Sequence, residues 1–281
     1  MKINKIAILG YPISHTLSPM IHNYWLKELH INGKYEAIKT PINNLKKTIE
    51  KLYKKGYKGL NLTIPLKEEV LKYLNNKDKI VDIIGAANVL VFLKQGLIEG
   101  KNTDVYGFKK SLTKLVKRKK REMAIIIGSG GAARAVLYAL IEMKYKEVVL
   151  FNRTRKNAER VKKKFFKNFI SNLKTKIVCN NLKNIKKNLE QTDLLINTTP
   201  MGMKGFPVLN IDVKKLKKNS AVFDLIYNPL ETKLIKDSKK RGIKNINGLD
   251  MLLYQAQQSF YYWLNKTPKI TNKLKKILEK E

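Results

Sequence analysis

The chain has 281 residues, and its 58 Lys and Arg against 22 Asp and Glu give a formal charge of +36 at pH 7. Hydrophobic residues make up 43% of the chain, which is enough for one large domain or two ordinary ones and argues against a disordered polypeptide. The single cysteine, Cys179, excludes an intramolecular disulfide framework and a zinc site of several thiolates. No spacing of histidines or other ligands is typical of a metal site, so we predict no metal.

The positive charge is spread along the chain as lysine. Only 7 of the 58 basic residues are Arg, which leaves 51 Lys. Nucleic-acid-binding proteins usually concentrate arginine and aromatic residues on one element. We therefore interpret the charge as the compositional bias of an AT-rich genome, and a nucleic-acid partner is not expected.

Short apolar runs alternate with segments of helical periodicity along the chain. In chain order, strands are predicted at 6–9, 35–38, 59–64, 88–92, 124–127, 147–151, 194–197 and 221–225. Helices are predicted between them, for example at 19–30, 45–54 and 132–142. This alternation is typical of α/β proteins with parallel sheets. The lysine-rich run 115–121 has few apolar residues and is the predicted approach to a second domain.

Signals for export or membrane insertion are missing from the sequence. The apolar run at 6–9 is too short for a signal peptide, and no stretch approaches the ~20 apolar residues of a spanning helix. We therefore expect no membrane partner and a cytoplasmic location.

Hydroxyl side chains alternate in the segment that follows the first predicted strand. Ser14, Thr16 and Ser18 can together present hydrogen-bonding groups to a small polyol or carboxylate. Ser18-Pro19 also fits a plain helix start, with the serine as N-cap and the proline at the first helical position. Both interpretations stay open.

Two histidines flank this turn, and an aromatic stretch lies near the other end of the chain. We assign His15 and His22 a structural or hydrogen-bonding role and do not choose either as a catalytic base. The aromatic residues in 254–263 have helical spacing and are predicted to pack in the core.

A Gly-rich turn joins the predicted strand 124–127 to the helix that follows it. The turn reads Gly128-Ser129-Gly130-Gly131-Ala132. Such small residues let the backbone approach a pyrophosphate, which then lies at the positive end of the helix dipole. Because strand, turn, helix and next strand are all in place, we predict a nucleotide-binding unit of the Rossmann type.

The end of the next predicted strand discriminates between cofactors. NAD-binding folds of this class carry Asp or Glu about 20 residues after the turn, whereas this sequence reads Asn152-Arg153-Thr154-Arg155. A carboxylate would repel the 2′-phosphate of NADP, and a guanidinium can accept it. Ordinary surface cations are the alternative, but two of only seven arginines occur here. We predict NADP.

Further segments complete a recognisable set in a fixed order. They are Asn61-Leu62-Thr63-Ile64-Pro65-Leu66-Lys67, Gly85-Ala86-Ala87-Asn88-Val89, Asn102-Thr103-Asp104, Asn197-Thr198-Thr199-Pro200-Met201-Gly202, Asp224-Leu225-Ile226-Tyr227-Asn228-Pro229 and Gly248-Leu249-Asp250-Met251-Leu252 with Gln255. With the Gly-rich turn, this set closely resembles the shikimate dehydrogenase family from about residue 6 to the C-terminal helix. The resemblance implies an α/β protein of two domains: an N-terminal α/β substrate domain of residues 1–104 plus 246–281, and a doubly wound Rossmann-type NADP-binding domain of residues 105–245.

The resemblance also implies an activity and a set of site residues. The chain would reduce 3-dehydroshikimate to shikimate with NADPH, in chorismate and aromatic amino acid biosynthesis, with Lys67 and Asp104 handling the proton. The implied substrate contacts are Thr16, Ser18, Thr63, Lys67, Asn88, Asp104, Tyr227 and Gln255. The implied cofactor contacts are Gly128, Ser129, Gly130, Gly131, Ala132, Asn152, Arg153, Thr154, Arg155, Leu225 and Gly248.

Some points stay open within this resemblance. Thr16 stands where serine is common, which keeps the hydroxyl, and the second basic contact to the 2′-phosphate comes from Arg155 or Lys156 or is missing. A quinate/shikimate dehydrogenase with relaxed use of NAD and NADP is the neighbouring alternative. A polycationic nucleic-acid-binding protein without catalysis is a remote one. A homodimer is left open as the oligomeric state.

Overall fold

The computed structural model describes residues 3–115, 121–168 and 174–280. The chain divides into two compact units, of which the first comprises Met1–Tyr106 with Leu253–Glu281 and the second comprises Gly107–Leu252. Most of the predicted approach at 115–121 lies outside the described residues, which omit 116–120. The predicted domain boundaries, after residues 104 and 245, stay predictions.

Helices occur throughout both units. In chain order they are α1 Ser18–Glu28, α2 Leu45–Lys54, α3 Leu66–Glu69, α4 Lys79–Ile84, α5 Asp104–Leu115, α6 Gly131–Glu142, α7 Arg155–Asn168, α8 Lys233–Lys240, α9 Leu249–Leu264 and α10 Asn272–Leu278. The chain passes from one unit to the other within α5 and again within α9. Both units are therefore connected through helical segments.

Helix α2 shows how a lysine-rich sequence still forms a packed helix. Leu45, Ile49 and Leu52 are its buried residues, and their spacing places them on one stripe while the lysines take the other faces. The helix ends before Gly56, whose φ of +75° is the left-handed conformation that commonly terminates a helix. Periodicity and a terminating glycine together define this element.

The first unit is built on a six-stranded mixed sheet. Its strands are β1 Asn4–Gly10, β2 Gly33–Lys39, β3 Tyr57–Leu62, β4 Asn76–Lys77, β5 Val89–Phe92 and β6 Ile98–Lys101, in the spatial order β2-β1-β3-β5-β6-β4. β1 pairs in parallel with β2 and β3, whereas β5 runs antiparallel to β3 and β6. The prediction of parallel sheets is wrong for β5, because a short connection at 93–97 joins it to β6 without a crossover.

The second unit is built on six strands that pair in parallel throughout. They are β7 Met123–Ile127, β8 Glu147–Asn152, β9 Lys176–Asn181, β10 Leu194–Asn197, β11 Ala221–Asp224 and β12 Lys244–Ile246, in the order β12-β11-β10-β7-β8-β9. The order reverses its direction between β7 and β10, as in doubly wound dinucleotide-binding sheets. Ligands of such sheets bind beyond the carboxyl ends of the strands at this point.

Four strands of the two sheets do not coincide with a predicted strand: β4 and β6 in the first unit, and β9 and β12 in the second. β9 forms an edge of its sheet and has the sequence Lys-Ile-Val-Cys-Asn-Asn, of which only Ile177 and Cys179 are buried. An edge strand covered on one face needs no continuous apolar run. Three of the four missed strands, β4, β9 and β12, are edges of their sheets, whereas β6 lies inside its sheet and the edge strand β2 is correctly predicted.

His22, on α1, is fully buried among aromatic rings in the first unit. Its ring stacks on Tyr35 with centroids 4.2 Å apart, and Trp25, Phe260 and Trp263 surround it at 5.6–6.0 Å. Neither ring nitrogen has a hydrogen-bond partner in the part of the chain that the structure describes. Of the two roles expected for His22, the structural one therefore fits and the hydrogen-bonding one does not, and burial lowers its pKa to about 3.

Replacing His22 by phenylalanine should make the protein less sensitive to acid. The unfolded chain binds a proton below its ordinary pKa of 6.5, whereas the folded chain does not until about pH 3, so stability falls as the pH drops through this window. Removing the imidazole should reduce the change in the free energy of unfolding with pH by up to about 1.4 kcal/mol per pH unit. Urea unfolding at several pH values between about 7.5 and 5, on both sides of the ordinary histidine pKa, measures the change.

The matched control is His30→Asn, which removes an exposed histidine whose φ of +51° asparagine tolerates. This variant should keep the wild-type dependence on pH. If the free energy of unfolding depends on pH equally in the wild type and in His22→Phe, the description of His22 as a buried, neutral side chain is contradicted.

Candidate active site

A lysine and an aspartate meet beyond the strands of the first sheet. Lys67 lies in α3, shortly after β3, and Asp104 is the first residue of α5, shortly after β6. Nζ of Lys67 is 2.6 Å from Oδ2 of Asp104, and the two side chains are 17% and 7% exposed. This ion pair is therefore mostly removed from water. Such a charge-assisted hydrogen bond is stronger than one in open water.

Asn88 holds the other oxygen of the same carboxylate. Its Nδ2 donates to Oδ1 of Asp104 at 3.0 Å and to Oγ1 of Thr103 at 2.9 Å. The backbone N–H of Thr103 donates to Oδ1 of Asn88 at 2.7 Å, which determines that the amino end of the amide faces Asp104. Both carboxylate oxygens therefore accept a hydrogen bond, and the carboxylate has one orientation.

Gln255, on α9, completes this group. Its Oε1 lies 3.4 Å from Nδ2 of Asn88 and 3.4 Å from Oγ1 of Thr103, and the residue is 9% exposed. Four residues named from the sequence are thus brought into one hydrogen-bonded cluster: Lys67, Asn88, Asp104 and Gln255. We call them the Lys67 cluster.

The hydroxyl groups of Thr16 and Ser18 pair with each other. Their oxygens are 3.2 Å apart, and the backbone N–H of Ser18 donates to Oγ1 of Thr16 at 3.3 Å. Helix α1 begins at Ser18 with Pro19 in its first turn, but its N-cap position is Leu17 and no side chain caps it. The alternative of Ser18 as the N-cap is therefore wrong.

Thr63 lies beside the turn that carries these two hydroxyls. It follows β3, which pairs with β1, and its backbone N–H donates to the carbonyl of Leu9 at 2.9 Å. A Cβ atom on Gly10 would lie 2.3 Å from Cγ2 of Thr63, so the absence of a side chain at Gly10 permits the contact. Within the described ranges, no hydrogen bond joins Thr16, Ser18 or Thr63 to the Lys67 cluster.

The Gly-rich turn of the second unit connects β7 to α6. Gly128 has a φ of +118°, and a Cβ there would lie 2.4 Å from Oγ1 of Thr198, whereas a Cβ on Gly130 would meet open space. Gly130 is the N-cap position of α6, and no side chain caps the helix. The first amides of α6 are therefore available to an anion, which the helix dipole also favours. Ser129 belongs to the same turn, and Gly131 and Ala132 are the first two residues of α6.

The four residues 152–155 lie where β8 ends and α7 begins. Nδ2 of Asn152 donates to the carbonyl of Thr154 at 2.9 Å, and Asn181 donates to the carbonyl of Arg153 at 3.0 Å, so the backbone here is fixed. Arg153 is exposed and forms no ion pair within the described part of the chain. Arg155 pairs with Glu159 at 3.3 Å, so it already has an anionic partner.

Leu225 and Gly248 are in direct contact in the second unit. A Cβ on Gly248 would lie 2.0 Å from the carbonyl oxygen of Leu225, and the N–H of Gly248 donates to the carbonyl of Ile226 at 2.9 Å. Tyr227 follows Ile226 in the same unit and is partly exposed. Its implied contact with the substrate stays a prediction.

Asp224, at the end of β11, is a buried acid that sequence reasoning did not select. It accepts hydrogen bonds from Oγ1 of Thr232 at 2.6 Å, Nδ2 of Asn197 at 3.0 Å and the N–H of Ile226 at 3.2 Å. Burial raises its pKa, and these hydrogen bonds oppose the rise. The motif segments at 197–202 and 224–229 are therefore joined through one carboxylate.

Two features are absent from the described residues. No helix there combines the length and apolar character needed to cross a membrane. Across 3–115, 121–168 and 174–280, His, Cys, Asp and Glu side chains form no group of three or more that could hold a metal ion.

A doubly wound parallel sheet with a Gly-rich turn at its switch point defines a dinucleotide-binding α/β protein, and the part-buried lysine–aspartate pair of the other unit can serve acid–base chemistry. Comparison with known proteins is more specific. The family described as "Shikimate dehydrogenase substrate binding domain" matches residues 8–90, and "Shikimate / quinate 5-dehydrogenase" matches residues 110–230. The chain belongs to the shikimate dehydrogenase family.

Individual relatives agree with this assignment. A shikimate dehydrogenase (NADP(+)) of Bartonella quintana is 36% identical over 282 residues, which cover 98% of this chain and 93% of the relative. A crystal structure of a shikimate dehydrogenase in complex with NADP+ has a TM-score of 0.88 at 35% identity, covering 99% of this chain and 94% of that one. The enzyme of Thermus thermophilus, in complex with NADP(H) and shikimate, has a TM-score of 0.85 at 29% identity with 99% of each chain covered. The predicted fold class and the family resemblance are confirmed.

Gly128 and Gly130 should respond differently to replacement by alanine. Gly128→Ala combines a left-handed φ with an overlap on Thr198, so we expect it to lower the free energy of unfolding by at least about 1–2 kcal/mol. Gly130→Ala, with φ of −80° and open space for its methyl group, should fold as stably as the wild type. Urea unfolding of both variants measures the difference, and equal stabilities would contradict the described turn.

Proposed function

We propose that this chain catalyses the reversible NADPH-dependent reduction of 3-dehydroshikimate to shikimate, a step of chorismate and aromatic amino acid biosynthesis. The first unit binds the substrate and the second binds the cofactor. The observation that carries the proposal is the part-buried Lys67–Asp104 pair at 2.6 Å, in a chain that aligns over 98% of its length with a relative named shikimate dehydrogenase (NADP(+)).

The residues of the second unit fit NADP. The turn at Gly128–Ala132 leaves open space at Gly130 and an uncapped helix start, which suits a pyrophosphate. Arg153 is exposed at the end of β8, and no carboxylate stands at 152–155, which suits a 2′-phosphate. Asn152 and Thr154 would complete that contact, and Leu225 and Gly248 would contact the nicotinamide. When bound, NADPH supplies the hydride.

Arg155 and Lys156 are the two side chains that can supply a second basic contact to the 2′-phosphate. Arg155 is held by Glu159, so its guanidinium must leave an existing partner to bind the phosphate. Lys156 is exposed, and no such exchange is needed there. We therefore assign the leading role to Arg153 and, of the two alternatives for the second basic contact, favour Lys156 over Arg155.

Lys67 performs the proton transfer in the proposed reaction. Reduction of a ketone leaves negative charge on its oxygen, and an ammonium group beside that oxygen both stabilises the charge and donates a proton to it. Asp104 holds the ammonium group at 2.6 Å and orients it. In shikimate oxidation the same nitrogen, deprotonated, accepts the hydroxyl proton.

The remaining polar side chains of the first unit position the ring of the substrate. Thr16 and Ser18 bind the carboxylate through their hydroxyls. Thr63, Asn88 and Gln255 contact the ring hydroxyls. Amide and hydroxyl groups suit this purpose because each can donate and accept a hydrogen bond.

One assay tests the proposal directly. The purified chain should form NADPH from shikimate and NADP+, and it should do so faster than with quinate or with NAD+. Equal rates with quinate and NAD+ would favour the broader quinate/shikimate type. Absence of shikimate oxidation together with tight salt-sensitive binding of nucleic acid would favour the polycationic alternative. We keep the cytoplasm as the proposed location and a homodimer as an open state.

Lys67→Ala should abolish most turnover while leaving cofactor binding intact. Loss of the proton donor is expected to reduce kcat by about 10²–10⁴-fold, because the developing charge on the substrate oxygen is no longer stabilised. Lys72→Ala is the control, since it removes an exposed lysine of the neighbouring turn that pairs with Glu69 at 2.7 Å. Steady-state rates and NADPH titration measure both variants. Near-normal turnover of Lys67→Ala would overturn the assignment.

Arg153→Gln should weaken binding of NADPH and leave binding of NADH unchanged. A charge-assisted contact to phosphate contributes about 1.5–3 kcal/mol, so the dissociation constant for NADPH should rise by roughly 10- to 100-fold. Arg160→Gln, an exposed arginine further along α7, is the matched control and should bind both cofactors as the wild type does. Calorimetric titration with the two cofactors measures the shift, and equal loss for both would contradict the role in 2′-phosphate recognition.

A further inference from the structure

A serine hydroxyl lies behind the Lys67 cluster and is completely buried. Ser259 is on α9, one helical turn after Gln255, and has 0% exposure. Its Oγ lies 3.1 Å from Oγ1 of Thr103, accepts a hydrogen bond from Nδ2 of Asn61 at 3.2 Å and donates to the carbonyl of Gln255 at 2.9 Å. The hydroxyl thus connects three segments that are distant in sequence.

The hydrogen bonds through Ser259 run in one direction. A serine hydroxyl has one proton, and that of Ser259 is used on the carbonyl of Gln255. The hydroxyl of Thr103 must therefore donate to Ser259, and its own oxygen then accepts from Nδ2 of Asn88 at 2.9 Å. The other proton of the same Asn88 amide goes to Asp104. The path leads from the backbone of α9 to the carboxylate of Asp104.

A second branch fixes the other side of Ser259. Nδ2 of Asn61 also donates to the carbonyl of Asn88 at 3.0 Å, and the hydroxyl of Tyr35 donates to Oδ1 of Asn61 at 2.7 Å. Asn61 is 4% exposed and Tyr35 is 1% exposed. The amide of Asn61 is therefore held in one orientation by Tyr35 and by the carbonyl of Asn88. Its second N–H proton points at Ser259, and a rotation of Asn61 toward another acceptor would break these other hydrogen bonds.

We propose that Ser259 is a positioning residue for proton transfer, which acts through Thr103 and Asn88 to fix the carboxylate of Asp104 against Lys67. The inference rests on the proposed function, since it needs Lys67 to be the proton donor. Ser259 touches none of the reacting groups. Its position on α9 also ties the orientation of Asp104 to the helix that carries Gln255.

Loss of the Ser259 hydroxyl has a specific consequence for Thr103. Two other acceptors lie near the Thr103 hydroxyl, namely Oδ1 of Asn88 at 3.3 Å and Oε1 of Gln255 at 3.4 Å. Turning toward either one moves the Thr103 proton into the Lys67 cluster and withdraws the lone pair that accepts from Asn88. The amide of Asn88 then loses one of the contacts that hold it toward Asp104.

The test compares Ser259→Ala with Ser111→Ala in steady-state shikimate oxidation. Ser111 is the matched control because it is buried, belongs to the second unit and has a hydroxyl without a hydrogen-bond partner among the described residues. We expect Ser259→Ala to reduce kcat about tenfold, the effect of one lost hydrogen bond to a charged system. The KM for shikimate and the Kd for NADPH should change less than about twofold, because a positioning effect acts on the chemical step. Ser111→Ala should match the wild type.

Variants of Thr103 distinguish positioning from a general effect on packing. Thr103→Val removes the hydroxyl and keeps the shape, so it should reduce kcat as Ser259→Ala does, whereas Thr103→Ser keeps the hydroxyl and should recover most of the rate. The double variant Ser259→Ala with Thr103→Val should lose no more than either single variant, because both interrupt one path. Additive losses, or equal rates for Thr103→Val and Thr103→Ser, would overturn the proposal.

Wild-type activity separates this inference from the proposed function. If the wild-type chain does not oxidise shikimate, the proposed function fails and the inference fails with it. If the wild type is active and Ser259→Ala retains the wild-type kcat, only the positioning role fails. Urea unfolding of each variant confirms that rates are compared between folded proteins.

Discussion

The ion pair between Lys67 and Asp104 is the interaction on which the candidate site of the first unit depends. Two opposite charges that are mostly removed from water are favourable only when their remaining hydrogen-bonding capacity is also satisfied. Asn88 satisfies it for the carboxylate, and Thr103 fixes the orientation of Asn88. These residues lie on different segments of the mixed sheet and its loops. The fold of the first unit therefore holds the pair in one geometry.

In a chain with so many lysines, the buried acidic residues indicate the site better than the basic ones. With 58 basic residues against 22 acidic ones, a lysine by itself carries little information, whereas a buried acid is informative. Asp104 is paired with a lysine, and Asp224 is held by three neutral donors. Most other ion pairs have a partly exposed partner, and such pairs contribute little to stability. The remaining lysines can raise encounter rates with anionic substrate and cofactor at low salt.

Sequence patterns located most of the fold, and the exceptions have physical reasons. Apolar runs identified the central strands such as β7 and β8, which are buried on both faces. They missed β9, which alternates because it lies at an edge, and they gave no sign that β5 is antiparallel. Strand direction follows from how the connections cross the sheet, and the residues of a strand such as β5 do not record it.

The sequence by itself determined the residue types that the chemistry requires and their order: the glycines of the turn at 128–131, the absence of an acid at 152–155, and Lys67, Asn88, Asp104 and Gln255 in their segments. Tertiary structure decided which of them meet. Lys67, Asn88, Asp104 and Gln255 meet in one hydrogen-bonded cluster, with Ser259 behind Thr103. Arg155 pairs with Glu159. Within the described part of the chain, His22 is buried without a hydrogen-bond partner. Hydrogen bonds between side chains depend on distances of about 3 Å across the fold, and no spacing along the chain encodes them.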